Sequence, residues 1–547
     1  MLIMTAPRWD RRVGAAPDSP DDIRQYGASV KNELAGASGA LMVCGTTSDS
    51  GKSTFVAGLA RALARTGARV APFKAQNMAN NSFITPSGHE IGRAQGLQAI
   101  AARTVPEVAM NPVLLKPTGE RTSQVVVLGK AVATMSAAEY HAYKPQLLEL
   151  VLESLADLRS RFDVVLCEGA GSPAEINLLA NDIVNLRIAY EADIPAIVVG
   201  DINPGGVFAA LFGTVGLLPD HYRALVRGFV INKLRGDPAL LLDGTAQLEA
   251  ACGVPMLGVL PWIDGLTLDA EDSLGLAAHG TASRPPIADA LDIAVVRLPY
   301  IANFTDFDPL TVEAGVNVRY VHHASALGRP DLVIVPGSKA TVADLRWLRA
   351  NGFADVLAGP HGVAPTCLGI CAGYQMFGGA IDDRVESREG VVEGLGLLDV
   401  RTMFDPAKVT AQRRATATVG SANHGLSGYQ IHHGRVVAVG SVEPWMVLDD
   451  GAVEVSAVVG TTLVMGTTLH GLFEDDGFRR VFLADVAARA GKMFRSDGAS
   501  FADARNRQID RLADAIEEHV DCAQLASLMA SASAPNARMR VSAGSTR

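Results

Sequence analysis

Leu41-Met42-Val43-Cys44-Gly45-Thr46-Thr47-Ser48-Asp49-Ser50-Gly51-Lys52-Ser53-Thr54 decides the fold. Four apolar residues suited to a buried strand run into a loop of glycines and small polar residues. Behind the loop, Phe55-Val56-Ala57-Gly58-Leu59-Ala60-Arg61-Ala62-Leu63 has the spacing of an amphipathic helix. In that order, backbone N–H groups and a helix N-terminus cradle phosphate oxygens while a lysine neutralises the β and γ phosphates. Five residues separate Gly45 from Gly51, one more than in the common P-loop, so the loop reads as a longer variant. Thr47, Asp49, Gly51, Lys52, Ser53 and Thr54 are therefore the expected nucleotide-binding residues, with Ser53 placed to ligate Mg²⁺.

Working outward, Val164 to Cys167, Ala196 to Val199 and Gly228 to Ile231 are further short apolar runs, each ending where small or polar residues take over. Buried parallel strands have this character, and ligands in such sheets gather at the carboxyl ends of the strands. Glu168 ends one of these runs and is the candidate magnesium carboxylate. Asn232 ends another, where its amide can read an adenine edge. Between them lie polar groups suited to an anionic substrate: Lys74, Gln76, Asn77, Arg93 and Lys116.

A second alternating stretch begins at Asp292, after a Gly-, Ala- and Ser-rich segment containing Arg284-Pro285-Pro286. Within it, Cys367-Leu368-Gly369-Ile370-Cys371-Ala372-Gly373-Tyr374-Gln375 is an apolar run ending in Gly-x-Cys-x-Gly. Such a turn lifts a thiol clear of a sheet, and the glycines allow the backbone to bend and a substrate to approach. Upstream, Leu332-Val333-Ile334-Val335-Pro336-Gly337 opens onto a glycine turn, so Gly337 and Ala372 are the candidate N–H donors to an oxyanion. Downstream, His470 ends Val464-Met465-Gly466-Thr467-Thr468-Leu469 and is the expected base for Cys371, with His432 and His433 as competing candidates.

The chain of 547 residues exceeds one ordinary hydrophobic core, and with 48% hydrophobic and 19% charged residues it is ordinary globular protein. A net charge of -10 argues against a general nucleic-acid binder. Six scattered cysteines form neither a disulfide framework nor a paired metal motif, which fits a reducing cytoplasm. The N-terminus lacks the apolar stretch of a signal peptide, and no run is long enough to span a membrane. The expected organisation is α/β throughout: an extension over 1–38, a P-loop domain with a mostly parallel sheet over 39–265, a linker over 266–290, a second α/β domain over 291–520, and a flexible tail over 521–547.

Together these residues resemble known families. The glycine-flanked Cys371 and distant His470 are similar to class I glutamine amidotransferases, and their union with a dethiobiotin-synthetase-like P-loop resembles the cobyric acid synthase family. Further matching segments are Pro72 to Ser82, Glu168 to Asn177, Asn303-Phe304-Thr305-Asp306-Phe307-Asp308, and Tyr429 to Arg435. The resemblance implies ATP- and Mg²⁺-dependent amidation, with glutamine as nitrogen donor, of the b, d, e and g carboxylates of a corrinoid, adenosylcobyrinic acid a,c-diamide. It implies Cys371 as the glutaminase nucleophile and His470 as its base.

Two positions depart from the pattern. Leu472 stands where class I glutaminases carry a glutamate, so the third member of a triad is missing or supplied elsewhere. Asn203-Pro204 stands where the family shows Asp-Arg. The alternatives are cobyrinic acid a,c-diamide synthase, which the Pro72 to Ser82 and Asn303 to Asp308 segments disfavour, and a P-loop regulatory or partition ATPase, which leaves Cys371 and His470 idle. Oligomeric state is not legible.

Overall fold

The computed structural model of the chain describes residues 33–119, 121–266, 290–359 and 364–532. Most of the expected N-terminal extension, nearly all of the linker and the tail beyond residue 532 lie outside them.

The first half is built on a six-stranded sheet in the order Met256–Pro261, Val226–Leu234, Ala196–Asp201, Gly39–Gly45, Val164–Glu168, Val70–Phe73. Every pairing in it is parallel. Its strands are apolar on both faces because helices cover both, and Leu41, Val43, Val165 and Val198 are all buried. Gly45, Glu168 and Asn232 thereby reach one end of the sheet, at the carboxyl ends of three of its strands. Two small sheets, Gln76–Met78 with Val113–Pro117, Thr122–Val127 and Lys130–Ser136, and Ser82–Ile84 with Glu90–Gly92, extend from that end.

The second half has a larger sheet whose parallel portion runs Val316–Val321, Leu291–Val296, Leu332–Val335, Thr366–Ile370, Thr462–Thr467. Antiparallel strands continue it, including the long hairpin of Val400–Val419 and Ala422–Ala438. Gly337, Cys371 and His470 follow three adjacent strands of the parallel portion, so the topology itself brings them together.

One expectation is corrected. The expected second domain over 291–520 and flexible tail from 521 give way to helices Phe501–His519 and Cys522–Ala530, which pack on the first sheet. Ile509, Leu512, Ile516, Leu525 and Met529 bury their side chains beside the P-loop helix Lys52–Arg65. Arg61 and Arg65 of that helix pair with Asp510 and Asp514 at 3.2 and 2.7 Å. Gly58 permits the close approach, since a Cβ there would stand 3.0 Å from the Leu512 carbonyl oxygen. The apolar spacing of 509–529 is thus the buried face of a clasp, a pattern hidden by the Ala- and Ser-rich composition around it.

The halves meet along residues 81–93 of the first and 303–306, 408–431 and 474 of the second. Lys408 Nζ reaches Glu90 Oε2 at 2.6 Å, Arg93 reaches Glu474 at 3.0 Å, and Ile84 packs with Tyr429 and Ile431.

Candidate active site

Cys371 sits between strand Thr366–Ile370 and helix Ala372–Phe377 with φ 51° and ψ −107°, a backbone conformation rare outside glycine. The contacts around the turn over-determine it. Cys371 N–H donates to Thr467 O at 2.7 Å and Gln375 N–H donates to Cys371 O at 3.0 Å. A Cβ on Gly373 would stand 2.0 Å from Val335 O, and one on Gly369 2.7 Å from Tyr374 N, so both flanking glycines are required. The Cys371 side chain opens into a cavity also lined by Gly337, Gln375, His432, His433 and His470, and by Lys116 from the first half. Gly337 lies so close that an added Cβ would be 3.0 Å from His470 Cε1 and 3.7 Å from Cys371 Cβ. Ala372 follows the thiol directly.

His470 is buried and its ring stacks on Tyr429 with centroids 5.3 Å apart. Its Nδ1 lies 2.6 Å from Asp306 Oδ2, and Gly471 N–H donates to Asp306 Oδ1 at 3.0 Å. Burial opposes the charged ring, but the Asp306 carboxylate and the Cys371 sulfur outweigh it and push His470 up to about 10. Asp306, not position 472, supplies the carboxylate at the His470 ring. Leu472 itself is buried in the core beside Phe473. Nothing in the sequence marks Asp306 for this contact, because it stands 164 residues before the histidine it meets. The competing histidines differ in kind. His432 turns Nδ1 to Gly434 O at 2.7 Å and burial pushes it down to about 3, while His433 turns Nδ1 to Asp405 O and burial lowers it too.

At the other site Gly51 adopts φ 93° and starts the helix at Lys52. Lys52 Nζ donates to Thr47 O at 2.6 Å and Ser48 O at 3.0 Å, Asp49 O accepts from Lys233 Nζ, and Thr54 Oγ1 donates to Gly51 O. Ser53 Oγ donates to Glu168 Oε1 at 2.8 Å, and Lys74 Nζ lies 2.8 Å from the same oxygen. Gln98, which the sequence did not single out, donates to Glu168 Oε2. Asn232 departs from its expectation: its Nδ2 holds Ser50 O at 3.0 Å and its Oδ1 accepts from Lys233 N–H, so the amide braces the P-loop. Asn203-Pro204 forms an exposed turn before Gly205 and Gly206, whose φ values are positive.

The expected substrate-gripping groups do not form one open cluster. Lys74 is engaged by Glu168, Gln76 accepts from Tyr140 at 2.6 Å, Asn77 donates to Gln95 at 2.8 Å, and Arg93 is met by Glu474. Lys116 is met by Glu90 at 2.6 Å and donates to Ser82 Oγ at 2.7 Å. All five are buried, and Arg93 serves the contact between halves. Their charges needed internal partners because bare burial of an ammonium or guanidinium is costly.

Two family models match the chain, one in each half. Residues 41–274 match the CobQ/CobB/MinD/ParA nucleotide binding domain, and residues 292–478 match the CobB/CobQ-like glutamine amidotransferase domain. Curated relatives include a cobyric acid synthase of Frankia casuarinae, 51% identical over 90% of this chain and 97% of that protein. One of Rhodococcus jostii is 52% identical over 90% and 95%, and one of Streptomyces coelicolor 51% identical over 88% and 95%. With both domains on one polypeptide and identity of this order along nearly all of it, the chain belongs to the cobyric acid synthase family.

Proposed function

We propose that the chain catalyses ATP-driven amidation of the b, d, e and g side-chain carboxylates of adenosylcobyrinic acid a,c-diamide, with glutamine as nitrogen donor. Glutamine-dependent amidation in cobalamin biosynthesis follows from the family; the four carboxylates, the residues and a cytoplasmic setting are the finer reading. The observation that carries it is the strained Cys371 beside an Asp306-oriented His470, in a cavity whose wall includes Lys116 of the nucleotide half.

Cys371 attacks the side-chain amide carbon of glutamine, with Gly337 and Ala372 N–H groups facing the developing oxyanion. His470 delivers a proton to the departing nitrogen, leaving a thioester and ammonia, and then takes a proton from the water that releases glutamate. Asp306 holds the ring tautomer and favours the imidazolium. A carboxylate resists ammonia, so it must first be activated. In the other half Thr47, Asp49, Gly51, Lys52 and Thr54 hold the nucleotide, whose γ-phosphoryl group passes to the substrate carboxylate. Ammonia then forms the C–N bond as phosphate leaves. Ser53 and Glu168 offer hard oxygens 2.8 Å apart, a donor set suited to Mg²⁺, which takes few protein ligands beside phosphates and water. Bound there, the ion supplies charge neutralisation on the phosphates. The units that serve this reading are 39–265, with 501–530 folded back on it, and 291–500.

Incubation of the purified chain with ATP, glutamine and either adenosylcobyrinic acid a,c-diamide or cobyrinic acid tests the reading. Mass spectrometry should show four amides added to the first; two amides added to the second alone would transfer the chain to a,c-diamide synthesis.

A further inference from the structure

Both nitrogens of the His470 ring have partners on one turn of chain. Asp306 faces Nδ1, and Asn303 Nδ2 lies 3.4 Å from Nε2. The orientation of the Asn303 amide is set from the other half: its Oδ1 accepts from the backbone N–H of Ser82 at 3.0 Å. A carbonyl oxygen facing that N–H leaves the amide N–H to face the histidine. A donor there suits a neutral imidazole with its lone pair on Nε2 and works against the imidazolium that Asp306 and Cys371 favour. That lone pair is also the one that must receive the Cys371 proton, so the thiol and Asn303 compete for it.

The turn is docked, not free-standing. Phe304 N–H donates to Asn81 Oδ1 at 3.2 Å, and Asn303 holds φ 53°, a left-handed conformation specified by the turn. Asn81 and Ser82 lead back through strand Gln76–Met78 to Lys74, whose ammonium sits on Glu168 beside Ser53. Glu168 is thus joined, through Lys74 and that strand, to the stretch of chain that orients Asn303.

Resting on the glutaminase reading above, we propose that Asn303 is a positioning residue that restrains His470 while docked on Ser82 and releases it when the nucleotide half is loaded, so that glutamine is cleaved in step with carboxylate activation. Withdrawal of Ser82 N–H frees the amide to rotate, and its oxygen can then accept from the imidazolium that its N–H had opposed.

The test uses the full chain and glutamate release from glutamine, with and without ATP plus adenosylcobyrinic acid a,c-diamide. The unaltered chain should be stimulated by loading. Asn303→Gly keeps the left-handed backbone at no steric cost and removes the amide. Its unloaded kcat should rise about three- to ten-fold, the range of one hydrogen bond, at unchanged KM. Stimulation should fall toward unity, and glutamate formed per amide should increase. Asn303→Asp keeps the oxygen facing Ser82 and removes the N–H, so it should also raise the unloaded rate, and it carries the test if the glycine variant does not fold. A residue with only a structural role would lower the rate. An unaltered chain indifferent to loading, or folded variants whose unloaded rate stays the same or falls, overturns the inference. Absence of Cys371-dependent glutamate release would instead remove the reading beneath it.

Discussion

Asp306 Oδ2 lies 2.6 Å from His470 Nδ1, although 164 residues separate them in the chain. The aspartate is carried by the turn after Ile301, the histidine by the loop after strand Thr462–Thr467, and the cavity brings them to Cys371. On the proposed mechanism Asp306→Asn preserves the shape but loses the charge that favours imidazolium. Its glutamine-dependent kcat should fall by roughly 10²- to 10⁴-fold, while amidation with added ammonium chloride persists. An equal loss with both nitrogen sources would show that Asp306 does not act through His470.

The nucleotide half should fail in the opposite sense. Glu168→Gln leaves a neutral group beside Ser53 and Lys74, and the buried Lys74 ammonium then lacks its carboxylate. Corrinoid-dependent ADP formation should drop by at least about 10²-fold, and ammonium salts should not restore it. Rescue by ammonium would remove Glu168 from the activating site.

Glu454 supplies a stability signature. Burial raises its carboxyl from 4.5 to about 7 and outweighs the Thr468 hydrogen bonds that favour the anion. The folded protein therefore keeps a proton that the unfolded chain has released, and this contribution to stability is lost as pH rises through the window from about 4.5 to 7. Glu454→Gln keeps an acceptor for Thr468 and removes the titration. Relative to the unaltered chain it should gain roughly 1–3 kcal/mol between pH 5 and pH 8, read as a rising difference in apparent melting temperature. A difference independent of pH would exclude the protonated carboxyl.

The C-terminal clasp should be structural. Leu525 is fully buried against the first sheet, and Leu525→Ala should cost about 2–5 kcal/mol. Removing residues 500–547 exposes Ile509, Leu512, Ile516, Leu525 and Met529 partners together, at roughly 1.5–3 kcal/mol each. The sum rivals the whole stability of a domain, so the truncated protein should lose its cooperative thermal transition. A truncated chain with an unchanged melting profile would make the clasp dispensable.

Much of this was readable because local chemistry forces it. Gly51, Lys52 and Ser53 between a strand and a helix, and Cys371 between two glycines, announce their turns in consecutive residues. Relations across the chain were not. Asp306 is one acid among many until the sheet order places it at His470, and Arg93 and Lys116 look like solvated cations until Glu474 and Glu90 meet them. Asn232 ended the expected strand, but only the approach of Ser50 O turns its amide inward. The helices of 501–530 were missed because small residues dilute the apolar spacing that packs them.

The most direct measurement compares nitrogen donors in Cys371→Ser. Given ATP and adenosylcobyrinic acid a,c-diamide, the variant should release no glutamate and form no amides from glutamine, yet form them from ammonium chloride at a rate near that of the unaltered chain. Amidation from glutamine at an undiminished rate, or failure with ammonium in a correctly folded variant, would contradict the division of labour between the two sites.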